Sequence, residues 1–168
     1  MTTSNDTPLL DVRDLSIAFR QDGRAEPAVS NVSFSLQRGR TLALVGESGS
    51  GKSVTALSIV KLLGATSATY PSGQILFQGQ DMLSAHEDDL RRIRGNAITM
   101  VFQEPMTSLN PLHHIAKQIG EILSLHGMRG EATIRARVIE LLEEVGIPDP
   151  ASRLSAYPHQ LSGGQRQR

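Results

Sequence analysis

A chain of 168 residues with 39% hydrophobic and 20% charged side chains has the size and balance of one globular domain with a real core. Its 17 basic and 17 acidic residues cancel, so no global field draws it to nucleic acid or to an acidic membrane surface. Cysteine is absent, which excludes disulfides, thiolate zinc sites and cysteine nucleophiles and fits a reducing compartment.

The opening "MTTSNDTP" is polar, without the basic and apolar regions of a signal peptide, and residues 1–8 are expected to be disordered. No apolar run approaches the ~18 residues of a spanning helix, so a membrane role has to come through a partner. Leu15, Ile17 and Phe19 alternate with small residues, as do Val32, Phe34 and Leu36. With "QDGRAEP" read as the loop between them, they predict an antiparallel pair. "TLALV" (41–45) is continuously apolar and predicts a parallel strand covered on both faces. Residues 53–63 are apolar nearly all round and predict a buried helix that Gly64 ends. "SGQILFQGQ" reads as a short strand, and "AITMVF" (97–102) as a second core strand. Beyond it the texture turns helical. Leu112, Ile115, Ala116, Ile119, Ile122 and Leu123 share one helical face, with Asn110-Pro111 as its start and Gly127 as its stop. Ile134, Val138, Leu141, Leu142 and Val145 predict a second helix over 131–145. The fold expected is α/β, a core followed by a helical region.

Between the strand 41–45 and the helix lies "GESGSGKS", Gly46 to Ser53, which matches G-x-x-x-x-G-K-S/T in the strand–loop–helix setting that motif needs. Gly46, Gly49 and Gly51 permit dihedrals that turn successive N–H groups inward and leave no Cβ in the way of a phosphate. Ser48 and Ser50 keep the loop small. Glu47 lends its backbone while its side chain points to solvent, because an inward carboxylate would repel the ligand. The helix start adds free N–H groups and the positive end of its dipole. Lys52 can reach the β- and γ-phosphates and the Ser53 hydroxyl can ligate Mg²⁺. Thr55, on the first turn, is counted with the nucleotide-binding set.

A second small, donor-rich stretch is "LSGGQ", Leu161 to Gln165. Ser162 can cap a helix there, and Gly163 and Gly164 leave their N–H groups approachable. One nucleotide could not easily need two such cradles from one small domain. Two facing copies could use them, each lending Ser162–Gln165 to the other's triphosphate.

Together these motifs resemble the nucleotide-binding subunit of an ABC transporter, a P-loop NTPase, over about residues 9–168. "GESGSGKS" resembles Walker A, "LSGGQ" the family signature, and Gln103 in "VFQEP" the glutamine that joins core to helical subdomain and senses metal and attacking water. Phe19 occupies the place of the aromatic that stacks on adenine, although it also continues the core alternation of its strand. "QEPMTSLNP" with "YPHQLSGGQ" is most similar to importers of the oligopeptide, dipeptide and nickel group. "TLALVGESGSGKSVTALSI" is similar to subunits tied to peptide and microcin C uptake. The resemblance implies ATP and Mg²⁺ as ligands, with Lys52 and Gln103 catalytic and Ser53 and Gln103 at the metal. It implies a β subdomain and Walker A core over 9–102, and a Q-loop, helical subdomain and signature over 103–168. The partners implied are a second nucleotide-binding domain and membrane-spanning permease subunits, with no nucleic acid. The place implied is the cytoplasmic face of the bacterial inner membrane, as a peripheral subunit.

In that family an apolar strand ending in Asp-Glu and a later histidine follow the signature; no match to them occurs up to Arg168. The expectation is a chain that binds ATP without efficient hydrolysis and that is unstable or aggregation-prone alone. A soluble ABC-type ATPase of DNA repair or translation is the alternative, opposed by the compact spacing and zero net charge. A small P-loop kinase would leave "LSGGQ" without a purpose. Among the histidines, His113 and His114 are expected to be solvated, His159 to fix the loop before the signature, and His86 and His126 to carry no motif.

Overall fold

The computed structural model describes residues 7–21, 23–64, 67–102 and 108–168. It divides into two compact units, Met1–Thr99 and Met100–Arg168.

The first unit is built on a four-stranded antiparallel sheet in the order β2-β1-β3-β4. Strand β1 is Leu10–Gln21, β2 is Arg24–Leu36, β3 is Ala68–Phe77 and β4 is the short Gln80–Asp81. The expected pair is present, but β2 starts at Arg24, so most of "RAEP" is strand and not loop. Arg20 pairs with Ala25 and Gln21 with Arg24, a tight connection with little room for loop. Val12, Leu15, Ile17, Ile75, Met82 and Leu90 form the buried centre of this unit. Gly73 in β3 faces a register shift in β1. A Cβ there would lie 2.5 Å from Leu15 Cα and 2.6 Å from the Arg13 carbonyl oxygen, so β3 approaches β1 this closely only with glycine.

Helix α1 (Lys52–Ile59) follows the glycine loop, and α2 (Glu87–Ile93) follows the sheet. α1 ends earlier than its apolar run predicts. Val60 is its C-cap and Lys61 takes a left-handed conformation at φ 49°, so the chain turns before Gly64. Arg94, the C-cap of α2, holds this end of α1. Its guanidinium donates to Val60 O (2.7 Å) and Lys61 O (2.9 Å) and pairs with Glu87 at 2.6 Å. A cation on the last carbonyls of a helix satisfies orphan acceptors and complements the dipole.

The second unit is helical: α3 (Ile115–Leu125), α4 (Glu131–Glu144), α5 (Pro150–Arg153), a 3₁₀ turn (Pro158–Gln160) and α6 (Gly163–Gln167). Gly120 lets α3 lie against Ile134 of α4, since a Cβ would come within 3.0 Å of the Ile134 side chain. Ile115, Val138, Leu142, Ile147, Leu154 and Leu161 form its core. The expected helices are both present. α3, however, starts at Ile115, and Leu112 stands 80% exposed ahead of it.

Two expected core strands are not laddered. Residues 41–45 run without a strand partner among the described residues, and Val45 is 89% exposed. Residues 97–102 make only an isolated parallel bridge, Arg94 to Ile98, and Val101 is 98% exposed. The reason is that a parallel strand takes its hydrogen bonds from neighbours remote in sequence, and its apolar composition cannot supply them.

Candidate functional site

The glycine loop ends at the start of α1. Gly51 is the helix N-cap with φ 87°, a left-handed conformation that supplies no side-chain cap. The loop is pressed onto β2 at this point. A Cβ on Gly51 would lie 2.8 Å from both Ala28 O and Val29 Cγ2. Glycine is thus required twice, by dihedral and by contact. The N–H groups of Lys52, Ser53 and Val54 belong to the first turn, where a helix offers no acceptor, and no carboxylate sits in that turn to compete for them.

These residues line a recess of about 150 Å³ with Ala28, Gly49 and Ser50. Lys52 Nζ turns into the loop, donating to Gly46 O (2.8 Å), Glu47 O (2.6 Å) and Ser50 Oγ (3.2 Å). A full positive charge is thereby held among backbone oxygens of the loop that phosphate oxygens can replace as partners. Ser53 is exposed at the mouth, so its hydroxyl is accessible. Thr55 differs from its neighbours: it is 4% exposed, and its hydroxyl donates to Gly51 O at 2.9 Å. It braces the first turn from inside.

The residues fit a nucleotide triphosphate with Mg²⁺. The bare backbone and one lysine suit phosphate oxygens, and a single hydroxyl suits a metal whose remaining ligands are water and phosphate. Among the described residues no cluster of three or more His, Asp or Glu forms a metal cage of its own.

Phe19 is half-buried on β1. A register shift between Ile17 and Ala18 breaks the strand's alternation, so Ile17 and Ala18 are both buried and Phe19 is outside the group of residues packed into the strand core. Ala18 pairs with Pro27 and Phe19 with Glu26, so on β2 the partner of Phe19 is two residues from Ala28 of the recess.

In the second unit, Ser162 caps α6 as its sequence suggests. Its Oγ accepts from Gln165 N at 3.2 Å, while Gln165 Oε1 accepts from Ser162 N at 2.9 Å, a reciprocal capping box. Gly163 and Gly164 sit where an added Cβ would meet nothing within 4 Å. Nothing among the described residues requires glycine there, so the backbone is open on that side. Gln103 lies outside the described residues.

His114 corrects an expectation. It is not solvated: its Nδ1 is buried without a hydrogen-bond partner among the described residues, and its ring meets Tyr157 at 4.1 Å. His113 is half-buried and faces Lys117 Nζ at 3.2 Å. His159 stacks on the other ring contact of Tyr157 at 5.5 Å and 13°, which suits a loop-fixing role. Tyr157 and Arg94 were not marked by sequence pattern. The alternation Tyr157-Pro158-His159 is the signal for the first, since it sets two rings side by side; Arg94 left no signal, because its partners are carbonyls more than thirty positions away.

A family model described as ABC transporter matches residues 29–168. The chain is 62% identical, over all 168 of its residues, to the peptidoglycan transport ATP-binding protein YejF of Agrobacterium fabrum, of which it covers 31%. It is 47% identical over 162 residues to the oligopeptide transport ATP-binding protein OppD of Bacillus subtilis, covering 96% of this chain and 45% of that one. It therefore spans about a third to a half of the length of these curated relatives. Among solved structures, a bacterial ABC transporter cassette solved as a dimer superposes with a TM-score of 0.74 at 22% identity, over 94% of this chain and 65% of the other. A post-hydrolysis dimer bound to ADP and Pi gives 0.75 at 23%. At those identities the likeness speaks for the fold, which is that of the ATP-binding cassette.

Proposed function

Since this chain belongs to the ABC transporter family, we propose that it is the ATP-binding part of an importer that couples ATP binding and hydrolysis to uptake of peptides or related small cargo. The observation that carries the reading is the uncapped start of α1 behind a glycine loop, with Lys52 turned into that loop. The triphosphate lies along the loop backbone from Gly46 to Ser53, including Glu47, Ser48 and Gly49, and Lys52 moves from its carbonyl partners to the β- and γ-oxygens. Ser53 would hold Mg²⁺, which would offset the charge on those oxygens. Thr55 acts by bracing the first turn, and Phe19 offers its ring to adenine. Gln103 is the candidate for reading metal and water at the terminal phosphate.

Ser162, Gly163, Gly164 and Gln165 are assigned to a second cassette's nucleotide. The open space over both glycines supports this, since no packing among the described residues explains them. We assign the chain to association with permease subunits at the cytoplasmic face of the inner membrane; the transport roles in the names of its relatives support that reading. Among the described residues no helix is long and apolar enough to cross a membrane.

Titration of Mg–ATP by calorimetry tests the cradle. Lys52→Ala is expected to abolish measurable binding and Gln103→Ala to keep most of it. Equal affinity of wild type and Lys52→Ala would remove the assignment. Transport assays with radiolabelled oligopeptide and the partner permease test the cargo class.

A further inference from the structure

The segment from Leu154 to Leu161 is a strap that ties the start of α3 to the loop at Ser162. The first two N–H groups of α3, Ile115 and Ala116, have no side-chain cap; they donate to Ala156 O (2.9 Å) and Leu154 O (3.0 Å) instead. Leu154, Ala156, Pro158 and Leu161 of the strap are buried. Leu154, Ala156 and Leu161 share the core of this unit with Ile115, and an aromatic contact is added at the start of α3. Tyr157 lies between His114, the N-cap of α3, at 4.1 Å and His159 at 5.5 Å. From Tyr157 the chain has little freedom before the loop: Gln160 Oε1 accepts from Tyr157 N at 2.8 Å, Gln160 N donates to Tyr157 O at 2.9 Å, and Leu161 N donates to Pro158 O at 3.1 Å. The capping box of Ser162 follows directly.

We infer that Tyr157 is a positioning residue for the Ser162–Gln165 loop, held against the start of α3 by its tilted ring contact with His114. The physical ground is the contrast in stiffness. The 3₁₀ turn and the cap form one short hydrogen-bonded body, and the ring contact with His114 sets the angle at which it leaves α3. The Nδ1 of His114 is buried without a hydrogen-bond partner among the described residues, and its ring lies against Tyr157. The inference rests on the reading of Ser162–Gln165 as donors to a second cassette's nucleotide.

The test uses the full chain with Tyr157→Phe, Tyr157→Ala, His114→Ala and the control Gly164→Asp. ATP affinity is read with a fluorescent ATP analogue, and ATP-dependent pairing of two copies by sedimentation. Tyr157→Ala and His114→Ala are expected to leave ATP affinity unchanged while raising the ATP concentration for half-maximal pairing about tenfold, the order of a lost aromatic pair. Tyr157→Phe keeps the ring and restores wild-type pairing. The emission of Tyr157, taken as wild type minus Tyr157→Phe, is quenched by the stacked imidazoles and rises in His114→Ala. If Tyr157→Ala does not fold, His114→Ala and the emission difference decide, since His114 lies outside the strap and Tyr157→Phe keeps its ring. Wild-type pairing in the folded alanine variants, or emission unchanged in His114→Ala, overturns the inference alone when Gly164→Asp abolishes pairing. Pairing that survives Gly164→Asp overturns the reading of the loop and the inference with it.

Discussion

Replacing Gly51 by alanine separates the two reasons for glycine at the start of α1. The residue sits at φ 87°, where a side chain costs about 1–2 kcal/mol. The new Cβ would also lie 2.8 Å from Ala28 O and from Val29 Cγ2, both held in β2, so the loop or the strand has to give way. Overpacking of this kind costs a further 1–3 kcal/mol or so. Gly49→Ala is the internal control, because Gly49 has a similar φ of 81° and an added Cβ there meets nothing within 4 Å. Urea melts should therefore show Gly51→Ala less stable than wild type by about 2–5 kcal/mol and Gly49→Ala by only about 1–2 kcal/mol. ATP titration of both should show a larger loss for Gly51→Ala, since displacing the loop from β2 moves the N–H groups of Lys52 and Ser53. Equal stability of the two variants would refute the argument that β2 presses on the loop.

Gly73→Ala is expected to be worse still, because its Cβ would meet backbone atoms of β1 at 2.5–2.6 Å, and a melt of this variant should show no cooperative transition. Arg94→Ala removes the donors to Val60 O and Lys61 O and leaves Glu87 only its 4.0 Å pair with Arg91. With the Arg94 side chain 23% exposed and so partly screened, a loss of about 2 kcal/mol is expected in a urea melt, with weaker hydrogen-exchange protection in α1. Ser162→Ala removes the cap of α6 and should cost about 1 kcal/mol in helix stability without changing ATP affinity, measured by melting and calorimetry side by side.

The features legible in the sequence were those whose causes lie within a few residues. The glycine loop, the capping box at Ser162 and the helices α3 and α4 each depend on dihedral preference, a side chain three positions away, or a period of 3.6. Burial and pairing were decided elsewhere. Residues 41–45 and 97–102 have the composition of covered strands, yet composition does not name the neighbour that must cover them, and Val45 and Val101 stand exposed. One register shift in β1 took Phe19 off the core alternation that Leu15 and Ile17 begin, and no local signal marks a bulge whose partner strand lies beyond a turn.

By itself, then, the order of amino acids settled where a bare glycine loop opens a helix and where a helix is capped, because those are contests between adjacent groups on one stretch of chain. Tertiary structure alone decided that Arg94 closes the far end of α1 and that His114 meets Tyr157 across more than forty positions. Such contacts depend on how distant segments share one interior, and hydrogen bonds and ring contacts carry no trace of that along the chain until it has closed.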